Sequence, residues 1–545
     1  MKVSKSAEAL KNKGPWDVIV VGSGMGGMSC AAALAKTKKR VLLLEQHYIP
    51  GGFTQTFSRK GFVWDAGVHC IGEMGERGLP GKILRWLSNQ QIEWKSLGPV
   101  YETFHFPSET QTKSNGKSAS EFKIEFPDNY ADFRRNLEER FPDEKEAIGN
   151  YFAMVRKVVR TVNVYFSLRL MPQAVDEVLS KTVFKDAIKL WARTTAEVLD
   201  EMTSNSKLKA VLTAQWGYYG STPSKSSFGI HALVVQHYLR GGYYPVKGSH
   251  VFAESLVNVI AEAGGETCVR TPVKEIIIKN EKAIGVRTVA GDEFFAPKIV
   301  SAVGAHTTLN HLVPKEYSMT PWGKGIQSLG HSPSYLCLNI GFEGDVLAAG
   351  ATSSNQWFFE SWDMEISDWE VSDPNALVPV IYFSFPSLKD PAHQPGPKQR
   401  HTGEAITFLP WDVFKKWENT RRGNRDPEYL AFKKTLEERF LAQLRKRLPK
   451  VMELMVYHEL STPLSTAFFT RAPQGALYGL EATPRRFTSP HLRTRTPIKN
   501  LYMAGSDIAS MGVSGALVGG LMAAGTIEPK VWLGAFKAAV KKPLQ

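Results

Sequence analysis

A set of glycines, two acids and a histidine are spaced in this chain in ways that could do chemistry. In Asp17-Val-Ile-Val-Val-Gly22-Ser-Gly24-Met-Gly26-Gly27, an apolar run leads into Gly22, Gly24 and Gly27 at GxGxxG spacing. Such a run reads as a buried parallel strand. The glycines let the backbone turn sharply and approach a pyrophosphate at the start of a helix. Residues 25–36 supply that helix, and its small side chains at 26, 27, 29 and 31–33 suit close packing on a sheet. The next apolar run, 41–44, ends at Glu45, 18 residues after Gly27. A carboxylate there accepts hydrogen bonds from ribose hydroxyls and disfavours a 2′-phosphate. Strand, glycines, helix, strand and acid in this order form a dinucleotide site, with Ser23 and Gln46 beside it.

The elements that must position these residues alternate between two patterns. Pro50-Gly51-Gly52 follows the second strand, and 61–65 reads as a short strand turning at Ala66-Gly67, just before His69. From about Gly75 the pattern changes. Residues 101–106 and 121–126 look like strands of another sheet, joined by a polar loop at 111–120. Residues 130–209 are mostly helical by periodicity, with a break at Met171-Pro172. Gly241-Gly-Tyr243-Tyr244-Pro245 then leads into a helix over 250–263 that stops at Gly264-Gly265. Short strands at 266–270, 273–279, 283–289 and 293–296 read as an antiparallel meander returning to a buried strand at 299–303. The span 306–459 is rich in Trp, Phe and Pro. In Asn500-Leu-Tyr-Met-Ala-Gly505-Ser-Asp507 a strand ending at Gly505 would bring Asp507 to the cofactor. A helix starting near Gly515, after Val513, would point its N-terminus there too.

A chain of 545 residues is too long for one core, so two interleaved domains are expected. Lys plus Arg exceed Asp plus Glu by 67 to 53, a net charge of +14, which fits nucleic acid or an anionic membrane surface. No recognised nucleic-acid-binding motif is present, which leaves nucleic acid the weaker partner. Cys30, Cys70, Cys268 and Cys337 lie far apart without metal-ligand spacing, which argues against a metal site or a disulfide scaffold. The segment before Pro15 lacks a signal-peptide core, and no later stretch approaches 18 uninterrupted apolar residues. The expectation is a cytoplasmic chain that at most lies on a membrane.

Taken together, four blocks resemble a known family: Leu44-Glu45-Gln46-His47 with Pro50-Gly51-Gly52 and Thr56-Phe57; Asp65-Ala-Gly67-Val-His69-Cys-Ile-Gly72; Gly241 to Pro245; and Leu501 to Ile508. They are similar to the FAD-dependent phytoene desaturases, carotenoid isomerases and all-trans-retinol 13,14-reductases, most of all the retinol saturase branch. The resemblance implies an α/β fold of the monoamine oxidase and GDI superfamily, a Rossmann-like FAD-binding domain interleaved with an α+β substrate domain. The FAD domain would comprise 15–75, 241–305 and 460–528, the substrate domain 76–240 and 306–459, and 529–545 a basic amphipathic tail. It also implies that Gly22, Gly24 and Gly27 line the FAD pyrophosphate, that Glu45 holds the adenosine ribose, and that Gly51 and Gly52 run beneath the isoalloxazine side. Val273 would contact the adenine through its backbone and Asp507 the pyrophosphate or ribityl chain, with Gly505 and Val513 nearby. Gly515 and Ala516 would lie near the flavin ring. Phe53, Thr54 and Gln55 depart from the family pattern, where the saturases carry cysteines and a histidine.

A flavin passes a hydride through N5 to or from a carbon next to a polyene, so the protein need only hold the chain and manage one proton. His69 is the first candidate for that proton and Glu73 the second; the alternatives are a packed histidine and a solvated glutamate. Tyr243 and Tyr244 either wall the substrate channel or belong to the core. No second GxGxxG unit exists to bind NAD(P)H, so the electron donor stays open. The expected activity is saturation of a double bond in a retinoid- or carotenoid-like polyene. The alternatives are a desaturase or cis–trans isomerase of the same fold, and a non-catalytic isoprenoid carrier of GDI type. Two basic amphipathic segments could rest on anionic lipid or pack on the protein. One carries Lys181, Lys185, Lys189 and Arg193 beside Val183, Phe184, Ala187, Ile188 and Trp191. The other carries Lys530, Lys537 and Lys541 opposite Val531, Trp532, Ala535, Phe536, Ala539 and Val540.

Overall fold

The computed structural model describes residues 1–10, 13–108, 121–366, 369–373 and 375–540; the polar loop expected at 111–120 and Lys541 lie outside them. The apolar run Val18–Val21 becomes the central strand of a five-stranded parallel sheet, buried along its whole length. Val41–Leu44 and Ile299–Ser301 flank it, and Glu266–Cys268 and Leu501–Met503 form the edges. The first of these edges departs from the sequence reading. Glu266–Cys268 pairs in parallel with Val41–Leu44 and is no part of the meander, which has three strands, Val273–Lys279, Lys282–Thr288 and Glu293–Phe295. Burial of both Thr267 and Cys268 leaves this strand without the alternation of a half-exposed hairpin.

Helix Met25–Ala35 lies against helix Gly512–Ile527, and glycines bring the two backbones together. A Cβ at Gly26 would stand 2.4 Å from Gly505 Cα, one at Gly519 2.1 Å from Gly505 O, and one at Gly520 2.0 Å from Ser29 Oγ. Only hydrogen fits at these positions. The two ends of the chain therefore meet beneath the glycine turn.

A second, seven-stranded sheet draws on the two stretches expected to form the substrate domain. Its order is Met455–Ser461, Ser334–Glu343, Arg400–Leu409, Val380–Ser384, Asn355–Phe359, Val100–Phe106 and Phe122–Pro127. Trp64, on the hairpin of Thr56–Arg59 and Phe62–Asp65, fastens the first domain to it by donating from Nε1 to Ile340 O and Gly403 O at 3.3 and 3.2 Å. The internal basic segment packs on the protein through its C-terminal end: in Lys185–Trp191, Trp191 is fully buried and stacks on Tyr165 at 4.1 Å, whereas Val183 before the helix is exposed. Helix Lys530–Val540 is different. Val531 and Ala535 are buried on the side that packs against helix Leu79–Leu87, whereas Leu533, Phe536 and Val540 are 64%, 67% and 59% exposed. Among the described residues no helix is long and apolar enough to cross a membrane.

Replacing Gly520 with Ala should destabilise the protein by about 1–3 kcal/mol, because a methyl would also stand 2.3 Å from the Gly26 carbonyl oxygen and the two helices must separate. Denaturant unfolding of the apoprotein measures this.

Candidate active site

The glycine turn opens into a cavity of about 360 Å³ that runs from the parallel sheet to the second sheet. Its first wall carries Gly22, Ser23, Gly24, Glu45, Gln46, Gly51, Gly52, Val273, Gly505, Asp507, Val513 and Ala516, all anticipated from sequence. Gly22 has φ +95°, which a side chain would strain. A Cβ on Gly24, Gly505 or Gly512 would meet nothing within 4 Å, so this backbone faces open space. The helix N-terminus at Met25 aims its unpaired N–H groups into the same space. These features fit a dinucleotide diphosphate.

Glu45 is placed for a ribose and is already partly engaged. Its Oε2 accepts from Ser23 N at 2.9 Å and Ser23 Oγ at 2.6 Å, and its Oε1 accepts from His47 N at 2.7 Å. A carboxylate has about four lone-pair sites, so room for a ribose hydroxyl remains. Ser23 thus acts by holding Glu45. Asp507 joins three loops: Oδ2 accepts from Ala305 N at 2.8 Å and Oδ1 from Leu480 N at 3.1 Å. Gly479 sits against it at φ +73°, where a Cβ would be 2.5 Å from Oδ1. The buried Arg486 clamps the same loops, donating to Leu480 O at 2.6 Å and Ser506 O at 2.5 Å.

Five expected site residues lie elsewhere. Gly27 and Gly515 do not line the cavity; a Cβ on either would fall 1.9 Å from a backbone oxygen, of Gly22 and Ser510 respectively, so both serve close packing. Glu73 turns away at φ +55° and pairs with His237 Nδ1 at 3.3 Å. Tyr243 lies in the strand Gly242–Pro245, between Ile71 and Ser96. Tyr244 is buried with its hydroxyl donating to Asp65, beside a separate cavity of about 320 Å³. Register explains the last two: alternate residues of one strand point to opposite faces, and here neither face is the main cavity.

His69 does line the cavity, with Nδ1 2.8 Å from Oε2 of Glu404. This is a close ion-pair contact off the direction of a good hydrogen bond, since both atoms lack a well-directed partner. Burial pushes the Glu404 carboxyl up, and His69 and Lys389 partly offset that. Sequence reasoning missed the opposite wall, made of Trp357, Tyr382, Ile406 and Phe408 on the second sheet, Tyr218 at the end of the 3-10 turn Ala214–Tyr218, and the strap 469–480. It also missed the acids behind that wall. A signal was present: Glu102 and Glu404 interrupt the apolar side of strands Val100–Phe106 and Arg400–Leu409, in phase with Phe104 and with Ile406 and Phe408.

The model of the flavin-containing amine oxidoreductases matches residues 25–527. The chain belongs to this family. It is 31% identical over 526 residues to the all-trans-retinol 13,14-reductase of Danio rerio, spanning 93% of this chain and 84% of that protein. It is 26% identical over 527 residues to the chloroplastic prolycopene isomerase of Daucus carota, spanning 93% and 79%. Wild-type putrescine oxidase shares the fold, with a TM-score of 0.61 at 16% identity over 94% of this chain and 98% of that one. The dinucleotide of the glycine cavity is therefore FAD, and the protein is an FAD-dependent oxidoreductase or isomerase.

Two glycines of the turn should separate binding from folding. Gly24→Val fills open space and should weaken FAD binding at least tenfold, about 1.4 kcal/mol, while apoprotein stability holds. Gly27→Ala should lower the stability of the apoprotein itself. Flavin fluorescence titration and denaturant unfolding check the pair.

Proposed function

We propose that this flavoprotein reduces a carbon–carbon double bond of a lipophilic polyene of the retinoid or carotenoid kind. The observation that supports this best is the two-sided cavity. One wall is the FAD cradle, and the other is aromatic and aliphatic, with Tyr218, Trp357, Tyr382, Ile406, Phe408 and Leu477. Flat, apolar side chains of this kind suit a conjugated chain and offer few polar anchors. The relative from Danio rerio, named for retinol reduction, points the same way.

Bound reduced FAD supplies a hydride to one alkene carbon. The residues of the wall exclude water, keep the polyene extended, and hold the proton that the neighbouring carbon must receive. An isoprenoid carrier has no use for the glycine cradle and its ribose acid. Isomerisation is the second reading, because the carrot relative is named for it and the same cavity would serve.

Incubating the dithionite-reduced holoenzyme anaerobically with a panel of polyenes should give a product heavier by two hydrogens. Unchanged mass with an altered isomer would move the assignment to isomerisation, and no reaction with any polyene would overturn it.

We also propose that helix Lys530–Val540 rests on anionic lipid. Leu533, Phe536 and Val540 are exposed on one side, with Lys530 and Lys537 on the same helix, and the whole chain carries +14. The double variant Leu533→Asp with Phe536→Asp alters only exposed positions, so it should bind phosphatidylserine vesicles several-fold more weakly without losing FAD. Unchanged binding would remove the helix from this role.

A further inference from the structure

His69 and Tyr218 both face the cavity and both stand against a buried carboxylate, but what lies behind them differs. The difference begins in the sheet, where polar residues occupy neighbouring strands in register: Glu102 pairs with Asn355, and Ser384 with Glu404. All four are buried, within a face otherwise made of Phe104, Trp357, Tyr382, Ile406 and Phe408. Lys389, 2% exposed, reaches into this row. Its Nζ donates to Asn355 Oδ1 at 2.5 Å, Ser384 Oγ at 2.5 Å and His69 O at 2.8 Å. Asn355 Nδ2 in turn donates to the Tyr218 hydroxyl oxygen at 3.1 Å, and that hydroxyl donates to Glu102 Oε1. Glu102 also accepts from Trp357 Nε1 at 3.0 Å and Gln215 Nε2 at 2.8 Å. The Tyr218 hydroxyl is thus the middle of a hydrogen-bonded chain running from a buried amine to a buried carboxyl, and Tyr218 is the residue of that chain which lines the cavity.

We propose that Tyr218 is the catalytic residue that gives the proton to the polyene, and that Glu102, Asn355 and Lys389 are positioning residues that reload and stabilise it. This rests on the polyene-reductase reading above. Reduction of one double bond breaks the π bond and makes two C–H bonds, one with the hydride of reduced flavin and one with the proton leaving Tyr218 Oη. The hydroxyl turns its proton from Glu102 Oε1 to the carbon, the proton of the Glu102 carboxyl crosses the same Oε1–Oη contact to the phenolate oxygen, and the Asn355 N–H, which Lys389 polarises, holds that oxygen meanwhile.

Hydrogen bonding decides between the two donors. His69 Nδ1 and both Glu404 carboxylate oxygens have no well-directed hydrogen-bond partner, so no hydrogen-bonded relay stands behind His69 through Glu404. Burial raises the Glu102 and Glu404 carboxyls alike and pulls Lys389 down only to about 8, so the amine stays a counter-charge for this row at neutral pH. Loss of one proton from the Tyr218–Glu102 unit then leaves a negative charge balanced by Lys389. Burial also holds the Tyr218 phenol well above its ordinary range, so the hydroxyl stays protonated until a strongly basic carbon is formed.

The test uses reduced holoenzyme and the polyene that the wild type converts. Tyr218→Phe keeps the ring that stacks on Tyr238 at 4.8 Å. It should slow flavin reoxidation by at least about 100-fold, while the polyene dissociation constant, read from the absorbance shift on binding, changes less than threefold. FAD content and thermal midpoint report folding. Independently of turnover, infrared spectra at neutral pH should show the carbonyl stretch of a buried carboxylic acid that Glu102→Gln removes. A wild-type rate in Tyr218→Phe, or a Glu102 ionised at neutral pH, would overturn the assignment while leaving the reductase reading intact. Polyene binding lost together with rate in a folded Tyr218→Phe would reduce Tyr218 to a wall residue. A wild type inert toward every polyene would overturn both.

Discussion

The contact between the backbones of helices Met25–Ala35 and Gly512–Ile527 is the constraint on which the rest of the molecule depends. These helices are separated by almost the whole chain, yet Gly26, Gly505, Gly519 and Gly520 bring them closer than any pair of side chains would allow. The glycine turn and the Gly505–Asp507 loop consequently face one another across a single space. Asp507 then uses that proximity, accepting from Ala305 and Leu480 and so drawing two more loops to the rim. A cradle built from backbone is rigid before any cofactor arrives, so little conformational entropy remains to be lost on binding.

The second sheet contributes a different kind of surface. Its cavity side is aromatic and aliphatic, but it carries one row of buried polar groups, of which Glu102, Asn355 and Ser384 tolerate burial within one hydrogen-bond network, whereas Glu404 has only its ion-pair contact with His69. Lys389 makes three hydrogen bonds to neutral acceptors, and Glu102 accepts from three donors. In surroundings of low dielectric, such a network is strong when complete and costly when broken. It therefore places polar chemistry inside an otherwise greasy pocket without opening that pocket to water. An apolar substrate, a hydride donor and a proton source can then meet in one dry place.

The outer surface and the core made different use of the basic segments. Trp191 carries the internal helix into the core, where a large aromatic gains most by burial. The terminal helix docks through Val531, Trp532 and Ala535 and leaves Leu533, Phe536 and Val540 outside. Both segments have comparable amphipathic patterns, and docking geometry separates them.

The amino-acid sequence by itself determined the cofactor side of this protein. Gly22 and Gly24 were legible because backbone approach to a diphosphate demands glycines at fixed spacing after a strand, and Glu45 because an acid at the end of the next strand suits a ribose; Gly51, Gly52, Gly505 and Asp507 were marked by the family resemblance, the last two also by the apolar strand that ends there. The parallel core strands were legible too, from uninterrupted apolar runs, although Glu266–Cys268 was too short to reveal which sheet it joins. Tertiary structure alone decided the opposite wall. Tyr218, Trp357, Tyr382 and Phe408 come from different elements and share a cavity only because strands far apart in sequence pair in register, just as Glu102 meets Asn355 and Ser384 meets Glu404. It also moved Glu73, Tyr243 and Tyr244 out of the site, because a side chain's direction depends on local φ and on strand face. Lys389 was the least legible of all. Its place among the buried acids is a consequence of long-range packing, and no spacing in the chain announces it.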